Sequence, residues 1–226
     1  MAGHRALIIG ASRGIGLGLA EELAARGWHV FASQRSASEG LAQAAEDAAI
    51  EVVAADVTDS SSIEALVGRI EQGSLDVILL NAGIMGSETQ SVESTSDEEV
   101  TEIVMTNAVG PARAAKLLLP LLRDGGTLAF TTSRMGSIAE SSGGHDLYRM
   151  SKAAQNILAK GLFEQDARQR GIAVLSLHPG WVQTDMGGAG AHLTVKESVS
   201  GLADVLEAKH PVAHRFLNHR DSEIPW

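Results

Sequence analysis

Gly10-Ala11-Ser12-Arg13-Gly14-Ile15-Gly16 joins an apolar run at residues 6–9 to a segment of helical spacing at residues 17–26. A short, nearly continuous apolar run is the mark of a buried parallel strand, and Ile15, Leu19 and Leu23 then recur at the period of a helix. The join is therefore a strand-to-helix turn. Glycines let the chain turn tightly and leave the N–H groups and the positive end of the helix open to a pyrophosphate. The spacing is G-x-x-x-G-x-G, not the G-x-G-x-x-G of the common dinucleotide fingerprint. Alone, the turn allows either a phosphate site or a glycine-rich turn without a ligand.

Outward from this turn the alternation continues. Apolar runs at residues 6–9, 30–32, 52–55, 77–80, 128–130, 172–177 and 215–217 are separated by helical segments, which predicts an α/β fold: a Rossmann-type, doubly wound parallel sheet of about seven strands with helices on both faces. At 226 residues and 44% hydrophobic content the chain suits a single domain over 1–226. Ser96-Asp97-Glu98-Glu99 and Thr194-Val195-Lys196-Glu197 carry the S/T-x-x-E capping box of a helix start. The polar stretch 86–95 and a small substrate-side loop near 185–193, containing the glycine-rich 187–191, follow strand ends, where ligands bind in open α/β sheets.

Composition excludes several classes. The chain has no cysteine, so disulfides, thiolate metal sites and cysteine nucleophiles are ruled out, and no metal site is expected. With 28 acidic against 18 basic side chains the formal net charge is −10, which on average opposes nucleic acid and anionic membranes. Met1 to Arg5 run straight into the first strand, and no apolar run approaches the ~18 residues of a membrane span. The expectation is a cytoplasmic protein.

Tyr148-Arg149-Met150-Ser151-Lys152 sets a tyrosine and a lysine at i and i+4, on one helix face. With the glycine turn, this pair resembles the short-chain dehydrogenase/reductase family. The resemblance extends over Asn81-Ala82-Gly83 after a strand, Asn107 in a long helix, Ser133, and Pro179-Gly180-Trp181-Val182-Gln183-Thr184, in order and spacing over almost the whole chain. Residues 178–193 and 216–226, ending in Ile224-Pro225-Trp226, look more narrowly like its C-factor-like, carbonyl-reductase-related branch.

The resemblance implies a role for each matched position. Gly10, Ser12, Arg13, Gly14, Ile15 and Gly16 would hold the cofactor phosphates, Asp56 and Val57 the adenine edge, and Asn81, Ala82 and Gly83 the adenine ribose. Pro179, Gly180, Val182 and Thr184 would hold the nicotinamide carboxamide. Tyr148 and Lys152 serve both cofactor and catalysis, with Ser133 and Asn107 completing the catalytic set. The family's usual asparagine before Asn81 is Leu80 here and its threonine before Gly10 is Ile9, which suggests weaker polar lacing around the turn.

The residues carry the same chemistry on their own terms. Carbonyl reduction needs a hydride donor over the carbon and an acid at the oxygen. Tyr148, the only tyrosine, is the candidate acid, and a lysine ammonium one turn away favours its phenolate. Ser133 would hydrogen-bond the substrate oxygen, with Ser137 as the competing serine. An acidic residue about 20 residues past the turn binds the ribose 2′-OH in NAD sites, whereas arginine accommodates a 2′-phosphate. Here that place holds Ser33-Gln34-Arg35-Ser36, so Arg35 and Arg13 would clamp the phosphate of NADP(H). Asp56 has a second reading, as cap of the helix beginning near Ser60. Met85, His145, Trp181 and Met186 would face a small or medium carbonyl substrate.

Two further expectations concern the helices. A single helix is expected over 97–122, bent at Pro111, whose missing N–H leaves the Asn107 carbonyl free to hold a water that serves Lys152. Apolar faces at 100–122 and 153–167 match surfaces that pair in many relatives, which makes a homodimer one expectation, while some carbonyl reductases of the family are monomers and a monomer is the other. The alternative function is a nucleotide-binding signalling protein of the C-factor type with incidental catalysis.

Overall fold

The computed structural model describes residues 3–46, 48–87 and 90–226. Met1, Ala2, Glu88 and Thr89, which fall in the N-terminal and 86–95 readings above, lie outside the described residues. Seven parallel strands form one sheet: β1 (Arg5–Ile9), β2 (His29–Gln34), β3 (Ile50–Ala54), β4 (Leu75–Leu80), β5 (Leu122–Thr131), β6 (Ala173–His178) and β7 (His214–Asn218), ordered β3-β2-β1-β4-β5-β6-β7. The order reverses between β1 and β4, which opens a crevice at the carboxyl ends of both.

Side chains of a strand alternate between faces, and β1 divides them: Leu7 and Ile9 enter one core, Ala6 and Ile8 the other. The first core takes α3 (Ser60–Val67) through Ile63 and Leu66, α5 (Gly110–Leu118) through Ala114 and Leu118, and α6 (Asp146–Leu162) through Ala159 and Leu162. The second takes α1 (Gly14–Ala25) through Leu19 and Leu23, α2 (Glu39–Glu46) through Leu41, and α7 (Val195–Glu207) through Val199 and Leu202. Burial on both faces is what made the strands legible as continuous apolar runs.

The expected helix over 97–122 is corrected. It is α4 (Asp97–Val104), a π-helical turn at Met105–Val109, α5, and a 3₁₀ turn at Leu119–Leu121, with β5 already beginning at Leu122. The widened turn closes where the Gly110 N–H donates to the Met105 carbonyl. The bend thus lies one turn before Pro111, which sits at the start of α5, where a missing N–H is tolerated. β5 is longer than residues 128–130 because Leu122 pairs with Leu75 before a register shift, after which Thr127 pairs with Val77. Both capping boxes are formed, at Ser96/Glu99 and Thr194/Glu197.

Asp56 is not the cap of α3. Asp59 takes that place, accepting the Ser61 N–H at 3.0 Å, while Asp56 accepts the Thr58 N–H at 2.8 Å and its hydroxyl at 2.7 Å.

Candidate active site

A cleft of about 510 Å³ opens at the carboxyl ends of the central strands. One rim is the glycine turn. Gly10 has φ +91°, and a Cβ there would stand 2.8 Å from the Ala82 backbone, so the turn and the end of β4 approach as closely as only glycine allows. Gly16 faces inward against the Gly10 carbonyl and the Asn81 side chain, outside the cleft lining. The polar lacing that Ile9 and Leu80 do not supply comes from elsewhere. The Gly10 N–H donates to the Ser33 hydroxyl at 2.9 Å, and Asn81 donates to the Gly10 carbonyl at 2.8 Å while accepting from the Thr131 hydroxyl at 3.0 Å.

Of the positions read from the sequence, Gly10, Ser12, Arg13, Gly14, Ile15, Arg35, Asp56, Val57, Asn81, Ala82, Gly83, Tyr148, Lys152, Pro179, Thr184 and Met186 line this cleft. Arg35 projects into solvent with its guanidinium 4.0 Å from the Asp56 carboxylate. Arg13, equally exposed, reaches across the mouth to Asp185 at 2.8 Å. Gly180 and Val182 stand behind the lining. Gly180 (φ +89°) packs on Leu193 and His219, and Val182 is buried and bridged to Leu193. Trp181 is half exposed and ties down segment 185–193: its indole N–H donates to the Gly187 carbonyl at 2.8 Å, and its ring meets His192 edge-on at 4.9 Å. His145 lies on the surface at the start of α6, with left-handed backbone (φ +52°).

The catalytic candidates converge under the cleft. Tyr148 is buried, and the Ser133 hydroxyl hydrogen-bonds its phenol. Ser137 is turned away, accepting the Glu140 N–H at 3.1 Å. Burial pushes the Tyr148 phenol up to about 12, against a smaller downward pull from the Ser133 hydrogen bond. This differs from the sequence expectation that Lys152 lowers it. Lys152 Nζ stands 5.8 Å from the ring centroid and donates to the Thr131 carbonyl at 2.9 Å and to Gln155 Oε1 at 3.3 Å, and burial brings its own value down to about 7. A Cβ on Gly83 would stand 3.4 Å from that Nζ, so glycine keeps the ammonium's approach clear.

Asn107, fully buried in the π turn, grips the loop after β4. Its Oδ1 accepts the Ile84 N–H at 2.8 Å, and its Nδ2 donates to the Ile84 carbonyl at 2.8 Å and to Ser151 Oγ at 3.0 Å. Met85 packs on the small apolar cluster of Ile103, Leu147 and Tyr148. Sequence reasoning missed Ala55, Ile84, Thr106, Gln183 and Asp185 as lining groups, and Gln90 and Gln155 as buried partners of Tyr148 and Lys152. For Gln155 a signal existed: it falls three residues after Lys152, on the inner face of its helix.

The cradle suits a dinucleotide on the structure's own terms. Glycine backbone is bare where a pyrophosphate needs N–H groups, two exposed guanidiniums stand at the 2′ end, and an acid and an ammonium stand at the other. Comparisons agree. A family model described as short chain dehydrogenase matches residues 4–192. The C-signal protein of Myxococcus xanthus is 38% identical over 171 residues, covering 73% of this chain and 100% of that protein. The 1-hydroxy-2-glutathionyl-2-methyl-3-butene dehydrogenase of Rhodococcus sp. (strain AD45) is 33% identical over 228 residues, covering 97% and 98%. A carbonyl reductase from Pseudomonas aeruginosa PAO1, solved in complex with NADP, is 38% identical with a TM-score of 0.89 and full coverage of both chains.

Proposed function

The chain belongs to the short chain dehydrogenase family, and on that premise we propose that it is an NADP(H)-dependent reductase of a small or medium carbonyl compound. The observation that carries the reading is the convergence of Ser133, Tyr148 and Lys152 beside a glycine cradle whose 2′ end holds Arg13 and Arg35 in place of an acid. The reduced nicotinamide supplies the hydride when bound. Ser133 and Tyr148 hold the carbonyl oxygen, the phenol gives it the proton that completes the alcohol, and the Lys152 ammonium favours the phenolate left behind. Asn107 positions this set, and its main-chain carbonyl, to which Pro111 offers no N–H, is a place for a water that returns the proton through Lys152. Residues 1–226 act as one domain, with 185–193 as its substrate-side loop and Met85, His145, Trp181 and Met186 toward the substrate.

NADPH oxidation against aldehydes, ketones and quinones tests the reading. Tyr148→Phe should bind NADPH nearly normally and lose ~10²-fold or more in turnover. Arg35→Ala should weaken NADPH by ~1.5–3 kcal/mol and barely alter NADH. Equal affinities of the unmodified protein for the two cofactors would remove the basis for NADPH preference.

The identity with C-signal favours one second reading, a nucleotide-binding signalling protein in which catalysis is incidental. A protein that binds NADPH yet turns over no carbonyl would select it. The homodimer belongs to the same proposal: Met150 and Ile157, seven residues apart on one face of α6, are exposed. Light scattering of Ile157→Lys against the unmodified protein tests it. Among the described residues no helix is long and apolar enough to cross a membrane. Cytoplasmic residence is part of the proposal and is tested by cell fractionation.

A further inference from the structure

We infer that Gln90 is a positioning residue for this chemistry, holding the main chain of Tyr148 and the substrate-side wall at Met85 in one fixed relation. The inference rests on the reductase reading of the cleft.

A helix leaves its first N–H groups without intrahelical partners, and a serine, threonine, aspartate or asparagine side chain at the cap usually takes one of them. α6 has no such cap. Gly143 and Gly144 precede it at positive φ, and His145 at the cap position offers no side-chain bond. Tyr148 is the third residue of α6, so its N–H is one of the orphans. Its partner comes from 58 residues away: Gln90 Oε1 accepts it at 3.0 Å.

The same carboxamide is used fully at its other end. Gln90 Nε2 donates to the Met85 carbonyl at 2.8 Å and to the Ser87 carbonyl at 3.0 Å, and the side chain is 5% exposed. An amide of this length supplies one acceptor and two donors at once. Glutamate lacks the donors, leucine and methionine lack all three, and asparagine is one carbon short. The bonds lie beside the apolar cluster of Ile103, Leu147 and Tyr148, where an unmade hydrogen bond is more costly than at the surface.

A second chain of bonds leads from the same loop to the other side of the same residue. Asn107 grips Ile84 and donates to Ser151 Oγ, which donates to the Tyr148 carbonyl at 2.8 Å. Both main-chain polar groups of Tyr148 are therefore wired to residues 84–87. The phenol's distance from the Met85 wall is set by polar geometry, and a misplacement of about 1 Å in a reacting group costs up to ~10²-fold in rate. Gln90 itself is not among the residues that line the cleft, and both its N–H groups are taken by carbonyls, so its part is to position.

The test compares the full-length protein with Gln90→Met and Gln90→Glu. It measures kcat and KM for carbonyl reduction, NADPH Kd by fluorescence, and hydrogen exchange of the Tyr148 amide. Gln90→Met should lower kcat about tenfold or more, leave NADPH Kd within about twofold, and speed exchange at Tyr148. Relative to the unmodified protein at the same pH, Gln90→Glu should recover kcat as pH falls, because a protonated carboxyl both accepts and donates; a general loss of folding gives no such relative recovery. If Gln90→Met does not fold, the Gln90→Glu pH profile decides. An active unmodified protein whose Gln90→Met kcat is unchanged, or falls only in step with NADPH binding, overturns this proposal alone. An unmodified protein that reduces no carbonyl overturns the reductase reading, and this role with it.

Discussion

At the scale of single residues, Tyr148 and Lys152 carry opposite shifts from the same burial. The phenol stands near 12 and the ammonium near 7, because leaving water disfavours the charged form of each. For reduction the tyrosine must keep its proton, and across the neutral range it does. The lysine must be charged to stabilise the phenolate that forms, and above about pH 7 it begins to lose that charge. kcat/KM for carbonyl reduction, which reports the free enzyme, should therefore decline above about pH 7. In Lys152→Met the profile should be low and flat through that range, and a break surviving in that variant would assign it to another group. Arg13 poses a different competition. Its pair with Asp185 has side chains 78% and 77% exposed, and an exposed pair is worth about 0–1 kcal/mol. Asp185→Asn should therefore tighten NADPH by up to about fivefold and leave NADH unchanged. Weaker NADPH binding in a fluorescence titration would show that Asp185 helps the cofactor instead of competing with it.

Among the elements, the π turn at Met105–Val109 does what an unbroken helix could not: it brings Gly110 against the segment after β3. A Cβ on Gly110 would stand 2.5 Å from the Val57 carbonyl and 2.6 Å from that of Met105. Overpacking of this kind costs about 1–3 kcal/mol. Gly110→Ala should lower the melting temperature and, because Val57 lines the cleft, weaken NADPH in parallel; a normal melting temperature with unaltered Kd would show the contact to be slack. The same turn marks where the sequence stops being legible. Strands buried on two faces announce themselves as apolar runs, and glycines at positive φ announce a turn, so the sheet, the cradle and the Tyr148–Lys152 pair could be read from one chain. A change from 4-residue to 5-residue helical bonds leaves no residue signature apart from its neighbour Pro111, and the bend was accordingly placed a turn late. Gln90 was hidden for a related reason: its partner Tyr148 is distant in the chain, and it stands in a polar stretch that reads as loop. The Asp56 reading failed locally, since two aspartates three residues apart both suit a cap and only the turn at Thr58 decides between them.

For the molecule as a whole, the titratable groups drawn out of water at the strand ends and under the cleft should set how stability depends on pH. His178 and His214 are held neutral by burial, down to about 4, so the unfolded chain binds protons there first and stability is lost as pH falls from about 6.5 toward 4. Lys152 has the same sign in a higher window. Its folded value of about 7 lies below the ordinary 10.5, so between these the unfolded chain binds a proton that the native chain does not. Stability must then rise with pH across that window, by an amount on the order of 5 kcal/mol at most. Tyr148 opposes this only later: its folded value of about 12 exceeds the ordinary 10, so the native chain keeps a proton that the unfolded chain releases, and stability falls above about pH 10. The ligand-free protein is therefore expected to be more stable near pH 9 than near pH 7. Urea unfolding at the two pH values measures it directly, and Lys152→Met, which removes the titrating group while keeping most of its volume, should abolish the rise. A midpoint that is higher at pH 7 than at pH 9 in the unmodified protein would mean that the native state keeps Lys152 protonated, through Thr131, Gln155 and whatever water reaches it.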